Sequence, residues 1–257
     1  MVAPNDWPRR LNWLTAPLVL ATVIGVSTIV SSSIVARAGV EMFRIKHGEK
    51  RIVVTGSASK RIRSDFVVWR AQVKSQATDM AQAYKKLSAD VPTVVAFVKG
   101  HGIDEKQIKV SATTILEIHA RDKEGREMPE TITAYVTVQA IEVSSGDIEK
   151  VERVSREATE LIDRGVFIHS EAPLYIYTKL AELKVQMVAD ASRDARNRAE
   201  QMATNAKSRI TSLINSRMGV LQINPAYETE VSAEGNNDRS SLEKDVLAVA
   251  TATYGVE

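Results

Sequence analysis

The chain has 257 residues, of which 44% are hydrophobic, and it carries a formal net charge of +2. That length allows one large domain or two small ones with a buried core, while the near-neutral charge and an aromatic content of 5% disfavour nucleic-acid binding. The absence of cysteine excludes disulfides, thiolate metal sites and a cysteine nucleophile.

An uncharged segment near the N-terminus predicts a membrane anchor. Residues 17–36 contain no charged side chain and would span about 30 Å as a helix, which matches the core of a bilayer. Arg9 and Arg10 precede this segment, and positively charged flanks tend to stay in the cytoplasm. We therefore predict a cytoplasmic tail over residues 1–16 and export of the chain that follows the anchor.

Two other interpretations of this segment stay open. Ala36, Arg37 and Ala38 form a small-x-small sequence at which a secretory signal peptide could be cleaved. The segment could also be a buried helix of a soluble domain, although such helices seldom run so long without a charge. Residues 37–49 are polar and mixed in composition, which predicts a linker to an exported domain over residues 50–257.

The exported part begins with two predicted strands. Residues 51–62 are rich in β-forming side chains, and residues 65–77 alternate between polar and apolar positions. This alternation predicts one buried face, formed by Val67, Trp69, Ala71 and Val73. We expect the two strands to pair antiparallel through a turn near Ser64 and Asp65.

Helices and strands alternate in the next hundred residues. Residues 78–100 predict a helix that Thr78 caps, with Pro92 as a kink or a division. Residues 107–121 and 131–143 predict a hairpin whose charged loop contains Gly125. A second helix is predicted over residues 146–164.

The C-terminal third predicts one strand, a long helix and two further strands. Pro173 places the strand over residues 166–177 at a sheet edge or a bulge. The helix is expected from Thr178 to Met218, and a polar, mobile loop over residues 232–244 separates the last two strands. The resulting order, ββα-ββα-βα-ββ, predicts an α+β fold in which helices cover one face of an antiparallel-rich sheet.

Alanine recurs at every fourth residue within a charged part of the long helix, at Ala191, Ala195, Ala199 and Ala203. A stripe of small side chains lets a neighbouring element approach to the near end of the usual range of about 8–10 Å. That neighbour is either the sheet of the same domain or another subunit. The alternative is an ordinary amphipathic helix whose core-facing side chains happen to be small. Asp194 and Arg198 are spaced to form an ion pair along the helix.

Four stretches of the sequence resemble the SIMPL family, which is also called DUF541 or YggE-like. They cover residues 53–83, 101–110, 132–154 and 189–203, and the last holds the alanine-rich run. Their order and spacing extend the resemblance over about residues 50–257. The chain departs from the family at Ser64, where relatives usually carry a proline.

The resemblance implies an exported protein of the bacterial envelope. Members of the family are associated with ring-like or channel-like oligomers and with stress tolerance, and no catalytic activity is agreed for them. We therefore expect a single-pass protein of the bacterial cell membrane whose C-terminal domain lies outside the cytoplasm and forms a homo-oligomer.

The sequence offers no recognisable catalytic, cofactor or metal motif. His47, His101, His119 and His169 lack the spacing of metal ligands, and "TGSASK" at residues 55–60 lacks the spacing of a phosphate-binding loop. No nucleophile elbow is present. We predict a protein without enzymatic activity, cofactor or bound metal. A small-ligand sensor or an unrecognised enzyme is the alternative, and either would show a concave site with perturbed titratable groups.

Two groups of acidic residues are expected on the solvated surface. The residues of the first group lie together at the end of a predicted helix. Those of the second group surround Gly125, but they lack the residue order of a calcium-binding loop. The two groups consist of Glu157, Glu160 and Asp163, and of Asp122, Glu124, Glu127 and Glu130.

Overall fold

The computed structural model describes residues 25, 27–28, 31–39 and 50–257. The predicted tail over residues 1–16 and most of the predicted anchor lie outside these ranges, and residues 31–39 are helical. Within the described ranges, no helix has both the length and the apolar character that a membrane crossing requires. The anchor over residues 17–36 therefore stays a prediction.

One antiparallel sheet, here called sheet A, joins the two ends of the described domain. Its central strand is β10, which pairs along the full length of β1 from Arg51↔Gly255 to Arg63↔Glu243. On its other side, β10 pairs with β8 and β9 in succession. The bounds are β1 Arg51–Arg63, β8 Ile210–Met218, β9 Gln222–Pro225 and β10 Glu243–Val256.

A second antiparallel sheet, sheet B, is built around β2 and β5. The strand β2 lies between β5 on one side and both β6 and β7 on the other, while β5 also pairs with β3 and β4. The bounds are β2 Phe66–Ala77, β3 Ile108–Val110, β4 Thr114–Arg121, β5 Glu127–Ser145, β6 Phe167–Ser170 and β7 Leu174–Ile176.

The structure confirms the α+β class with antiparallel sheets. The prediction that the first two strands pair as a hairpin is wrong. The chain passes from sheet A to sheet B at Ser64 and Asp65, so β1 pairs with β10 and β2 pairs with β5. The amide of Ser64 donates to the carbonyl of Leu242 at 2.9 Å, and that of Asp65 donates to Ile176 at 3.1 Å. A proline in place of Ser64 could not make the first of these hydrogen bonds.

Two helices cover the same face of sheet B. They are α1, Met80–Gly100, and α2, Ile148–Glu157, which continues into a 3-10 segment, Ala158–Arg164. Asp79 rather than Thr78 caps α1, because the Asp79 carboxylate accepts from the amide of Gln82. The core between the helices and the sheet contains the predicted face of β2 together with Leu87, Val94, Ile141, Val151 and Val154.

Several local predictions for sheet B and its helices agree with the structure. Pro92 lies inside α1 without dividing it. Gly165 ends the 3-10 segment at a φ of 79°, in the left-handed region. The hairpin formed by β4 and β5 turns at Gly125, and Pro173 separates β6 from β7 at the edge of the sheet.

The long C-terminal helix is shorter than expected. Helix α3 covers one face of sheet A and spans Leu180–Asn205, so the prediction of a helix to Met218 is wrong for its last turns. Lys207 has a φ of 56°, which turns the chain, and the following residues form β8. β-branched residues, including Ile210, Thr211 and Ile214, favour this extended conformation.

Candidate functional site

The alanine stripe of α3 packs against the sheet of its own domain. Ala191, Ala195 and Ala199 are fully buried, and they contact the apolar residues of β1 and β10. The approach is so close that a Cβ atom added to Gly56 of β1 would overlap the backbone of Ala191 and Ala195. The stripe therefore serves packing within the domain.

A cleft of about 220 Å³ opens where the two sheets meet. Its walls come from β7, from the first turn of α3, from β9 and β10, and from the loop over residues 226–242. Most of the wall is apolar or aromatic, formed by Tyr175, Ile176, Tyr177, Leu180 and Ile223. Ligand sites occur preferentially at such junctions between structural units.

A buried ion pair forms the floor of this cleft. The side chains of Lys244 and Asp238 are 2% and 8% exposed, and their charged atoms lie 3.0 Å apart. The Lys244 ammonium also donates to the carbonyl oxygen of Asp238 at 2.7 Å. Burial alone would raise the pKa of Asp238, but hydrogen bonds from Ser240, Lys244 and Ser241 outweigh it and lower the pKa to about 2. Asp238 is therefore charged at neutral pH.

A family model supplies the identity of the domain. It matches residues 52–254, which is nearly the whole of the described domain, and it is described as SIMPL, a protein of unknown function (DUF541). This chain belongs to the SIMPL family. No curated protein matches the sequence.

The loop that closes the cleft of the SIMPL domain is anchored by polar side chains of β9. The amide group of Gln222 accepts from the backbone of Asn236 at 2.9 Å and donates to the carbonyl of Ser232 at 2.8 Å. The Asn224 amide donates to the carbonyl of Glu230 at 2.7 Å. The loop over residues 232–244 is thus polar as predicted, and hydrogen bonds from side chains of β9 to its backbone hold it to the sheet.

The histidines of the SIMPL domain lie apart from the cleft. The ring of His101 lies 2.9 Å from the Phe97 carbonyl and 2.8 Å from Glu157. The hydrogen bond to Phe97 and the contact with Glu157 outweigh burial and raise the pKa of His101. His119 lies 3.7 Å from Glu117, while His47 lies outside the described residues.

The predicted acidic groups are also separate from the cleft. Asp122 accepts from the amide and the guanidinium of Arg126 and stabilises the turn of the β4–β5 hairpin. Glu157 pairs with His101. Among the described residues, no group of three or more histidine, aspartate or glutamate side chains is arranged to hold a metal ion.

The sequence contains a signal for the cleft that our interpretation missed. Lys244 is in phase with Val246, Ala248 and Ala250 along β10, and every second residue of this strand is buried. A lysine at a buried position of an alternating strand needs a partner, because an unpaired buried charge is costly. The sequence pattern places Lys244 at the end of the loop, whereas the structure places it in β10.

Proposed function

We propose that this chain is a non-enzymatic, membrane-tethered protein of the cell envelope whose SIMPL domain assembles into a homo-oligomer, with a role in stress tolerance. The family resemblance suggests the envelope and the stress role. The assembly is supported by one observation on the described domain, namely two exposed strand surfaces with opposite charge and large apolar side chains.

The first of these surfaces is a projecting hairpin, which we call the arm and define as residues 114–134. The strand β2 pairs with β5 only from Tyr135 onward, so the earlier residues of β5 pair with β4 alone. Two-stranded hairpins are marginally stable in water without a covering element. The arm nonetheless exposes large apolar side chains, which are Ile115, Leu116, Ile118, Met128 and Ile132.

The second surface is the outer edge of sheet A, formed by residues 207–218. Strand β8 is the terminal strand of this sheet in the described domain. It has no proline and a single charged residue, Arg217, so it lacks the usual protection of a free edge. Leu213, Ile214 and Met218 are 53%, 44% and 47% exposed.

Charge makes the two surfaces complementary. The arm holds five acidic and three basic residues, a net charge of −2, whereas residues 207–218 hold three basic residues and no acidic one. Opposite charges favour association of the correct surfaces and disfavour wrong ones. Because the two patches differ, contact between copies is heterologous, and heterologous contacts close into rings when the rotation permits. The proposed occupant of each surface is thus a second copy of this chain.

Reversing the charge of the β8 edge should dissociate the oligomer. In the full-length protein in detergent, Arg209→Glu with Arg217→Glu should weaken self-association at least tenfold, because like charges then face each other. Multi-angle light scattering measures the mass. Adding Glu127→Lys and Glu130→Lys on the arm should restore the assembly.

The control for this experiment has the same change of charge elsewhere. Lys85→Glu with Lys184→Glu alters exposed positions on α1 and α3, and it should leave the mass unchanged. A monomeric wild-type protein would refute the assembly, and reversals on β8 that leave the mass of an oligomer intact would refute the proposed contact between β8 and the arm.

The tether is tested by fractionation of the native chain. We expect the protein to stay in membranes after a carbonate wash. Protease added to spheroplasts should remove the domain over residues 50–257, because Arg9 and Arg10 hold the N-terminus in the cytoplasm. Full protection from protease would contradict this orientation. A mature N-terminus at Gly39 would instead show a cleaved signal peptide and overturn the anchor.

A further inference from the structure

We propose that the cleft between the two sheets binds a small monoanion with a flat apolar body, such as an aromatic carboxylate. The shape of the cleft, the identity of its walls and the arrangement of its charges each contribute to this assignment. None of these features takes part in the self-assembly proposed above.

The walls favour an apolar ligand body. Tyr175 and Tyr177 line the cleft together with Leu180 and Ile223. The hydroxyl of Tyr175 donates to the carboxylate of Glu152 at 2.7 Å, so this side chain offers its ring rather than its polar end to the cleft. The volume of about 220 Å³ suits a molecule of one ring with a short substituent.

The charges favour an anion. Asp238 already accepts hydrogen bonds from the hydroxyl and amide of Ser240 at 2.7 and 2.8 Å, in addition to the bond from Lys244. A lysine ammonium has three donors, and Lys244 uses two of them, both on Asp238. The third donor has no acceptor among the described residues.

Arg239 supplies the second cation. It lines the cleft, and its guanidinium forms no ion pair within the described part of the chain. Its backbone carbonyl accepts from the amide of Tyr175 at 2.8 Å, which fixes the base of the side chain at the rim. The cleft is thus lined by two cationic residues and one saturated carboxylate, which leaves an excess of one positive charge for the ligand.

The test uses the full-length protein in detergent with 4-fluorobenzoate as the probe, observed by fluorine NMR. We expect saturable binding, at least tenfold weaker binding of the neutral 4-fluorobenzamide, and displacement of the fluorinated probe by benzoate. Arg239→Gln should weaken binding about tenfold, because a hydrogen bond between charged groups is lost.

A second variant removes the Lys244 donor without leaving a buried charge unpaired and without changing the net charge of the cleft. Lys244→Met combined with Asp238→Asn should abolish saturable binding while the domain stays folded. Lys85→Gln, which removes an exposed charge on α1, should bind as the wild type does. Equal binding of the benzoate and the benzamide, or equal binding by all variants, would overturn the assignment, as would the absence of saturation.

Discussion

Replacing Lys244 with methionine should lower the free energy of unfolding by about 3–5 kcal/mol. The methionine fills a similar volume, but it leaves the carboxylate of Asp238, whose side chain is 8% exposed, without its cationic partner. Removing one member of a buried ion pair is strongly destabilising because the remaining charge stays desolvated. Denaturant unfolding of the full-length protein in detergent, monitored by circular dichroism, measures the loss.

The double variant Lys244→Met with Asp238→Asn separates the missing partner from the change in packing. The asparagine can still accept from Ser240, and no buried charge remains, so most of the lost stability should return. A single variant that loses less than about 1 kcal/mol would show that the pair contributes little to the fold.

The carboxylate of Asp238, which accepts from Ser240, Lys244 and Ser241, predicts a dependence of stability on pH. The pKa of Asp238 is lowered from 3.8 to about 2 in the folded chain, so its contribution to stability is complete above about pH 5 and is lost as the pH falls through 4 toward 2. A shift of this size corresponds to about 2 kcal/mol. Asp238→Asn should remove this part of the acid sensitivity, and an unchanged acid profile would contradict the assigned cause.

Local patterns predict the helices on sheet B and most of its strand residues, but the strands predicted over residues 107–121 and 166–177 are each divided in two, as β3 with β4 and β6 with β7. The alternation in β2 identified the buried side of Trp69 correctly, and Gly125 and Gly165 marked a turn and a helix end at the right positions. Each of these features depends on residues close together in the chain. Periodicity and turn chemistry report such short-range preferences directly.

Long-range pairing explains what the sequence did not reveal. The partner of β1 is β10, nearly two hundred residues away, and nothing in the alternation of Val54 and Ile62 identifies that partner. Strand β8 was assigned to a helix because its apolar residues also fit a helical period. The cleft was invisible for the same reason, since Tyr175 and Lys244 come together only when the two sheets meet.

Replacing Ala195 with leucine should lower the free energy of unfolding by about 1–3 kcal/mol and leave the mass of the oligomer unchanged. Ala195 is fully buried against Val54, Ala252 and Tyr254 of the same domain, so the added volume has no space. The helix must move away from sheet A, which disrupts its close contact with Gly56.

The matched control for Ala195→Leu lies on the same helix. Ala189 is exposed, so Ala189→Leu adds the same side chain to α3 without a steric conflict and should stay within about 0.5 kcal/mol of the wild type. Thermal unfolding and light scattering of both variants distinguish the alternatives. Equal stability of the two would mean that the stripe does not pack closely. A drop in the oligomer mass with an unchanged melting temperature would instead place the stripe between subunits, because only the contact between copies would then be disrupted.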